Sequence, residues 1–296
     1  MKKGERRTKV KNRKLVLSAS TTIIILVSLF AIRIPSTKAQ PINVDAIAVW
    51  SHDTGSPADL YDIYYSIYDA LLNTWWSLGP NPTDVIPIPF GNDFWPAISF
   101  DHLGTAMVVW SHDLGPPMGF DIYYSRWLGP ATGWTPPNAI NHLPDDDLDP
   151  AIALWEDGTG IAIWIHYTGV AFEMWYSQWN GVIWSPGAPI VIPWPPGLDV
   201  MRKQPEIAYD ANHNAVVVWT DGPTLGPWHV YRSILFNGAA SWSPPTDLDS
   251  TQPDGVAVEF RKGMSPDTLG NAKAVWNHES ALFDNQYSCL LYTSDA

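Results

Sequence analysis

Pro96-Ala-Ile-Ser-Phe-Asp-His-Leu-Gly-Thr-Ala-Met-Val-Val-Trp110 decides the fold. A short apolar run opens at a proline and breaks at Asp101-His-Leu-Gly104. A β-branched run then closes on tryptophan, so the stretch reads as strand, tight turn, strand. The pattern recurs. Asp45-Ala-Ile-Ala-Val-Trp50 is its second half, and related segments end at Trp164, Trp219 and, more weakly, Trp276. The steps between these tryptophans are 60, 54, 55 and 57 residues. A nearly fixed period of that size marks stacked supersecondary units.

Working outward, each period predicts four strands. The first is Pro-x-Ile-Ala, at residues 96–99, 150–153 and 205–208. The second ends at the key Trp. The third is aromatic: Ile63-Tyr-Tyr-Ser66, Ile122-Tyr-Tyr-Ser125, Met174-Trp-Tyr-Ser177 and Val230-Tyr-Arg-Ser233. The fourth opens at Trp76, Trp134, Trp184 or Trp242. Four antiparallel strands per period predict an all-β fold, a β-propeller of about five partial or complete blades whose ring is incomplete. The 27 Pro and 21 Gly suit short strands and turns. The repeat Trp are expected to pack between blades, where a large ring fills the wedge between sheets.

Charge divides the chain. Residues 1–40 hold ten Lys/Arg and one acid, Glu5, leaving seven Lys/Arg against 29 Asp/Glu in the rest. A body near −22 offers no basic patch for phosphates, which excludes nucleic acid as a partner. The basic start, the apolar run densest over residues 23–32 and the Thr37-Lys-Ala39 site predict an export signal over 1–40. The 20 residues from Leu15 to Ile34 would also just span a membrane, so the segment is a cleaved signal or a retained anchor. Either places the body outside the cytoplasm. Residues 41–288 form the repeats, and 289–296, with the single Cys289, fit no repeat and read as a non-native tail.

The corner Ser177-Gln-Trp-Asn-Gly181-Val-Ile-Trp184 resembles the Asp-box, S-x-D-x-G-x-x-W, with Trp179 in place of its Asp. On this motif the chain resembles the sialidase-like propellers built from BNR/Asp-box repeats, over residues 44–288. The resemblance implies catalysis by an arginine cluster, a Tyr–Glu pair and an Asp. The body holds Arg126, Arg202, Arg232 and Arg261 alone, and Arg126 and Arg232 read as one third-strand slot in two copies. No catalytic residue carries over.

Two clusters are candidate chemistry. Trp50-Ser-His52-Asp53, Trp110-Ser-His112-Asp113, Trp164-Ile-His166 and Trp276-Asn-His278 place a His two residues after the key Trp, where the fourth copy has Asp221. His52, Asp53, His112, Asp113, Asp221 and His278 are expected to ring one mouth of the propeller, as a ligand face or as strand-end caps. Asp145, Asp146, Asp147 and Asp149 lie in the link into the third blade, as a solvated acidic loop or a candidate Ca²⁺ loop without the Gly and Glu of an EF-hand. The expected function is a secreted or surface-anchored binding module for an extracellular glycan or protein, touching membrane only through its N-terminal segment. The rival is a divergent sialidase-like glycoside hydrolase.

Overall fold

The computed structural model describes residues 44–56, 59–76, 86, 91–101, 104–142, 145–190, 200–223, 229–248, 262–266, 272–279 and 285–291. The predicted export signal lies outside them.

Five antiparallel sheets follow one another along the chain, and no helix occurs among the described residues. Blade one is β1 (Ala46–Ser56), β2 (Asp59–Asp69) and β3 (Thr74–Trp76). Blade two is β4 (Asn92–Phe100), β5 (Ala106–Asp113), β6 (Phe120–Trp127) and β7 (Asn138–Ala139). Blade three is β8 (Asp146–Leu154), β9 (Gly160–Tyr167), β10 (Phe172–Trp179) and β11 (Ala188–Pro189). Blade four is β12 (Val200–Tyr209), β13 (Ala215–Pro223), β14 (His229–Leu235) and β15 (Thr246–Asp247). Blade five is β16 (Lys262–Pro266), β17 (Ala272–Glu279) and β18 (Asn285–Leu291). The molecule is an all-β propeller. β18 runs through Cys289 to Leu291, with Val275 opposite Cys289.

The core lies between blades. One apolar cluster joins Val49, Ile63 and Ile67 of blade one to Val108, Trp110 and Trp127 of blade two. A second joins Val109 and Ile122 to Ile152, Trp164 and Trp179. A third joins Ile163 and Met174 to Val217, Trp219 and Leu235. Trp110, Trp164 and Trp219 are fully buried, the inter-blade role their period predicts. The third-strand aromatics have separate tasks. Tyr65 packs on Trp127 and Trp134 of the next blade, Tyr124 on Trp179 and Trp184, and Tyr176 on Trp242. Such aromatic contacts add roughly 0.5–1.5 kcal/mol each beyond area burial.

The fourth strands are two residues long in blades two to four and begin four residues after the expected Trp. The intervening Ser/Thr-Pro forms a corner instead. Ser125, Ser177 and Ser233 each donate a hydroxyl to the carbonyl of Thr135, Ser185 or Ser243 at 2.6 Å. The hydroxyls of those three residues accept the N–H of Arg126, Gln178 and Ile234. Arg126 therefore follows the corner Ser, whereas Arg232 precedes its own. The two arginines thus occupy positions two residues apart, not one slot, although both project from the face opposite the corner Ser. Arg126 sits 5.2 Å over the Trp179 ring.

The candidate site at the mouth

Each inner strand begins upstream of its Pro-x-Ile-Ala motif. A one-residue register shift separates the two parts, between Phe94 and Ala97, Leu148 and Ala151, and Lys203 and Glu206. At each bulge a non-glycine residue with positive φ precedes the proline: Trp95 at 52°, Asp149 at 56° and Gln204 at 50°. Pre-proline residues are normally pushed to extended conformations, so each bulge is held by its surroundings. Asp149 shows how. Its carboxylate accepts the backbone N–H of Gln204, the same slot one blade on, at 2.8 Å.

Upstream of the bulge, each inner strand sets one residue opposite the histidine position of its neighbour. Asp93 faces His112, and Asp147 faces His166. His112 Nδ1 lies 2.7 Å from Asp93 Oδ1, which also accepts the Trp110 indole N–H at 2.8 Å. His166 Nδ1 lies 2.7 Å from Asp147 Oδ1. Both rings rest on third-strand aromatics, Tyr123 and Trp175. His112 is 2% exposed and His166 is 5%. His112 thus leaves the mouth to which the sequence assigned it, because β4 covers it. Gly91 seals it further: with φ at 122°, a Cβ there would lie 2.6 Å from His112 Cε1 and 2.4 Å from the Asp113 carbonyl. Blade four exchanges the charges, setting Arg202 opposite Asp221, which is buried. Aspartate, aspartate and arginine all lie 19 residues before their partners. That fixed offset was the sequence signal for Asp93 and Asp147.

The other expected mouth residues scatter. His52 is exposed and packs edge-on to Tyr64. Asp53 and Asp113 each accept a backbone N–H two residues on, from Gly55 and Gly115. His278 lies in β17, and its side chain is outside the described residues.

The acidic run is strand, not loop, from Asp146 onward. Its carboxylates part company. Asp145 is exposed, with φ at 89°. Asp146 accepts the Phe120 N–H of blade two at 3.1 Å. Asp147 is buried against His166, and Asp149 bonds blade four. Among the described residues no group of three or more His, Cys, Asp or Glu side chains is placed to hold a metal ion. Burial pushes the Asp147 carboxyl up to about 6, outweighing His166 and the Trp164 indole, which favour its charge.

What the mouth presents instead is aromatic. Trp95 is 48% exposed, its ring 5.5 Å from Phe94 and 6.3 Å from Phe120. Phe94 in turn touches Tyr61 of blade one at 5.0 Å. The bulge turns Trp95 outward, as bulges re-aim side chains. Asp149 and Gln204 hold the equivalent positions of the next two inner strands. An indole face, a carboxylate and an amide therefore occupy one slot in three adjacent blades. Stacking on an exposed indole and hydrogen bonding to hydroxyls are within the means of that set.

No family model matches the sequence, and no curated protein matches it. Solved structures do. A protein of unknown function from Dyadobacter fermentans DSM 18053 aligns at 11% identity and TM-score 0.53, covering 78% of this chain and 68% of its own. The alpha-L-arabinanase of Penicillium chrysogenum, complexed with arabinobiose, aligns at 15% identity and 0.52, covering 82% and 76%. AofleA from Arthrobotrys oligospora aligns at 12% identity and 0.50, covering 85% and 70%. At these identities what this chain shares with them is the propeller fold.

Proposed function

We propose that this protein is an extracytoplasmic carbohydrate-binding propeller that does not catalyse, secreted or held at the cell surface by its N-terminal segment. The observation that carries the reading is Trp95, a half-exposed indole held at positive φ on the mouth, braced by Phe94 and Phe120. Apolar sugar faces stack on such a ring, and Asp149 and Gln204, at the same slot of the next two blades, carry groups that hydrogen-bond hydroxyls. The arabinobiose complex of the Penicillium neighbour is in keeping with a sugar ligand.

The buried groups His112, His166 and Asp147 are occupied or sealed. A base must reach the proton it removes. His112 and His166 give Nδ1 to buried carboxylates, and Gly91 closes on the Cε1–Nε2 edge of His112. The raised pKa of Asp147 has the character of a general acid, but that residue is 0% exposed, out of a substrate's reach. The Asp-box likeness of residues 177–184 is kept as a resemblance of corners. Ser177 and Trp184 serve the hairpin there, with no part at the mouth.

A glycan array probed with the full chain, beside turnover assays on sialosides and arabinan, tests the proposal. Binding that Trp95→Ala lowers at least tenfold, without turnover, is the expected result. Turnover abolished by His112→Ala would make the hydrolase reading the correct one.

A further inference from the structure

Among the described residues, seven of the ten exposed large hydrophobic side chains lie on the face away from the mouth: Leu71, Leu72, Trp75, Leu128, Val182, Ile183 and Phe236. They sit at the outer hairpin tips of blades one to four, equivalent positions that share one rim. The tips, residues 71–75, 128–133, 180–183 and 236–241, contain no Asp, Glu, Lys or Arg, in a body with 29 acids. Beside the first tip, Asp69 is 4% exposed and accepts the N–H groups of Leu71 and Leu72. Asn180 does the same for Val182 and Ile183, both at 2.9 Å. The Leu128 and Ala239 N–H groups bond carbonyls within their own hairpins. Those N–H groups are thus already satisfied, so the apolar tips can leave water without orphaning them.

The chain also begins its blades at this rim. Asp45 donates its N–H to the Tyr68 carbonyl and accepts the Ala70 N–H at 2.6 Å, against the tip that carries Leu71 at 81% exposure. Ten residues separate Ile34, the end of the 20-residue apolar stretch, from Asp45. Fully extended, they reach at most about 33–36 Å. We propose that the tip rim of blades one to four rests on a lipid bilayer, tethered there by the N-terminal segment, so that the mouth points away from the membrane. This rests on the anchored form of the function proposed above. With no cations at the tips, the fit is to zwitterionic lipid, by apolar insertion and not charge. Glu156 and Asp157, exposed on the same face, belong to the inner β8–β9 turn, nearer the axis than the tips.

The test uses the full chain in phosphatidylcholine vesicles, with Cys289→Ser and a single environment-sensitive label at Leu72→Cys, Val182→Cys or, as the opposite-face control, Val170→Cys. Blue-shifted emission and quenching by doxyl lipid at 72 and 182, with neither at 170, is the expected result. Labels equally wet at all three positions, quenching at 170, or release of the body from the vesicles would overturn the proposal. So would shielding at 72 and 182 that depends on protein concentration and not on lipid, which would assign the rim to a second copy. Glycan binding by the same vesicles, read separately, shows whether the mouth works when the rim does not.

Discussion

Blades one and two carry the same tetrapeptide, Trp-Ser-His-Asp, at residues 50–53 and 110–113, and use it differently. In blade two the inner strand β4 lies against it. Trp110 is fully buried, and both its indole and the His112 ring bond Asp93. In blade one β1 pairs only with β2 among the described strands. Trp50 is half-buried, and His52 is exposed with Tyr64 beneath it. The difference teaches that a repeated motif takes its role from the strand laid against it, not from its own residues.

The strongest way to break that comparison is to remove the two tryptophans in turn. Trp110→Ala opens a cavity in the first inter-blade core and takes a donor from the buried Asp93. A loss of roughly 3–5 kcal/mol is expected in denaturant unfolding. Trp50→Ala should cost less than half as much. Equal losses would mean that β4 does not decide the burial of Trp110.

Blade three repeats the blade-two arrangement and adds a pH signature. Asp147 in the folded protein titrates near 6, above its ordinary value of 3.8. A raised folded pKa means that the native state binds the proton more tightly than the unfolded chain does. The stability contributed by Asp147 is therefore complete below about pH 4 and is lost as pH rises through 6. The whole span is on the order of 3 kcal/mol at most, at about 1.4 kcal/mol per pK unit. Stability of wild type minus that of Asp147→Asn, measured from pH 4 to 7, should fall with rising pH. A flat or rising difference would contradict the burial assigned to this carboxylate.

The strand plan was legible because burial repeats. The Trp period, the Pro-x-Ile-Ala runs and the aromatic third strands each mark a position covered by the neighbouring blade. The Asp93–His112 pair was harder to see. Partners across two strands are a matter of register, and the bulge at Trp95-Pro96 shifts that register by one residue. Trp95 is hidden in the sequence for the same reason. A tryptophan before proline is expected to be extended, and only the bulge places it at φ 52° with its ring outward. The acidic run at 145–149 looked like one site because its residues are adjacent in sequence. Strand alternation parts Asp146 from Asp147, and the bulge at Asp149 turns that residue to a third partner.

A buried pair can be separated from a surface imitation by a double-mutant cycle. His112→Ala leaves Asp93 in place without its imidazole partner, a change expected to cost roughly 1–3 kcal/mol. Asp93→Asn should cost less on top of His112→Ala than it does alone, since contacting residues are not additive. Strict additivity would show that the 2.7 Å contact carries no coupling.

The smallest effect gives the sharpest control. His52 has the same sequence neighbours as His112 and the same aromatic support, with Tyr64 at 4.7 Å where His112 has Tyr123 at 4.5 Å. What it lacks is burial. Its ring is exposed, so replacement by alanine gives up one edge contact and strands no buried carboxylate. His52→Ala should therefore change stability by no more than about 0.5 kcal/mol, the usual range for surface positions. The measurement is a pair of urea melts beside His112→Ala at one pH. If His52→Ala costs as much as His112→Ala, the two blades treat the tetrapeptide alike, and its energetic role belongs to the aromatic contact they share and not to Asp93.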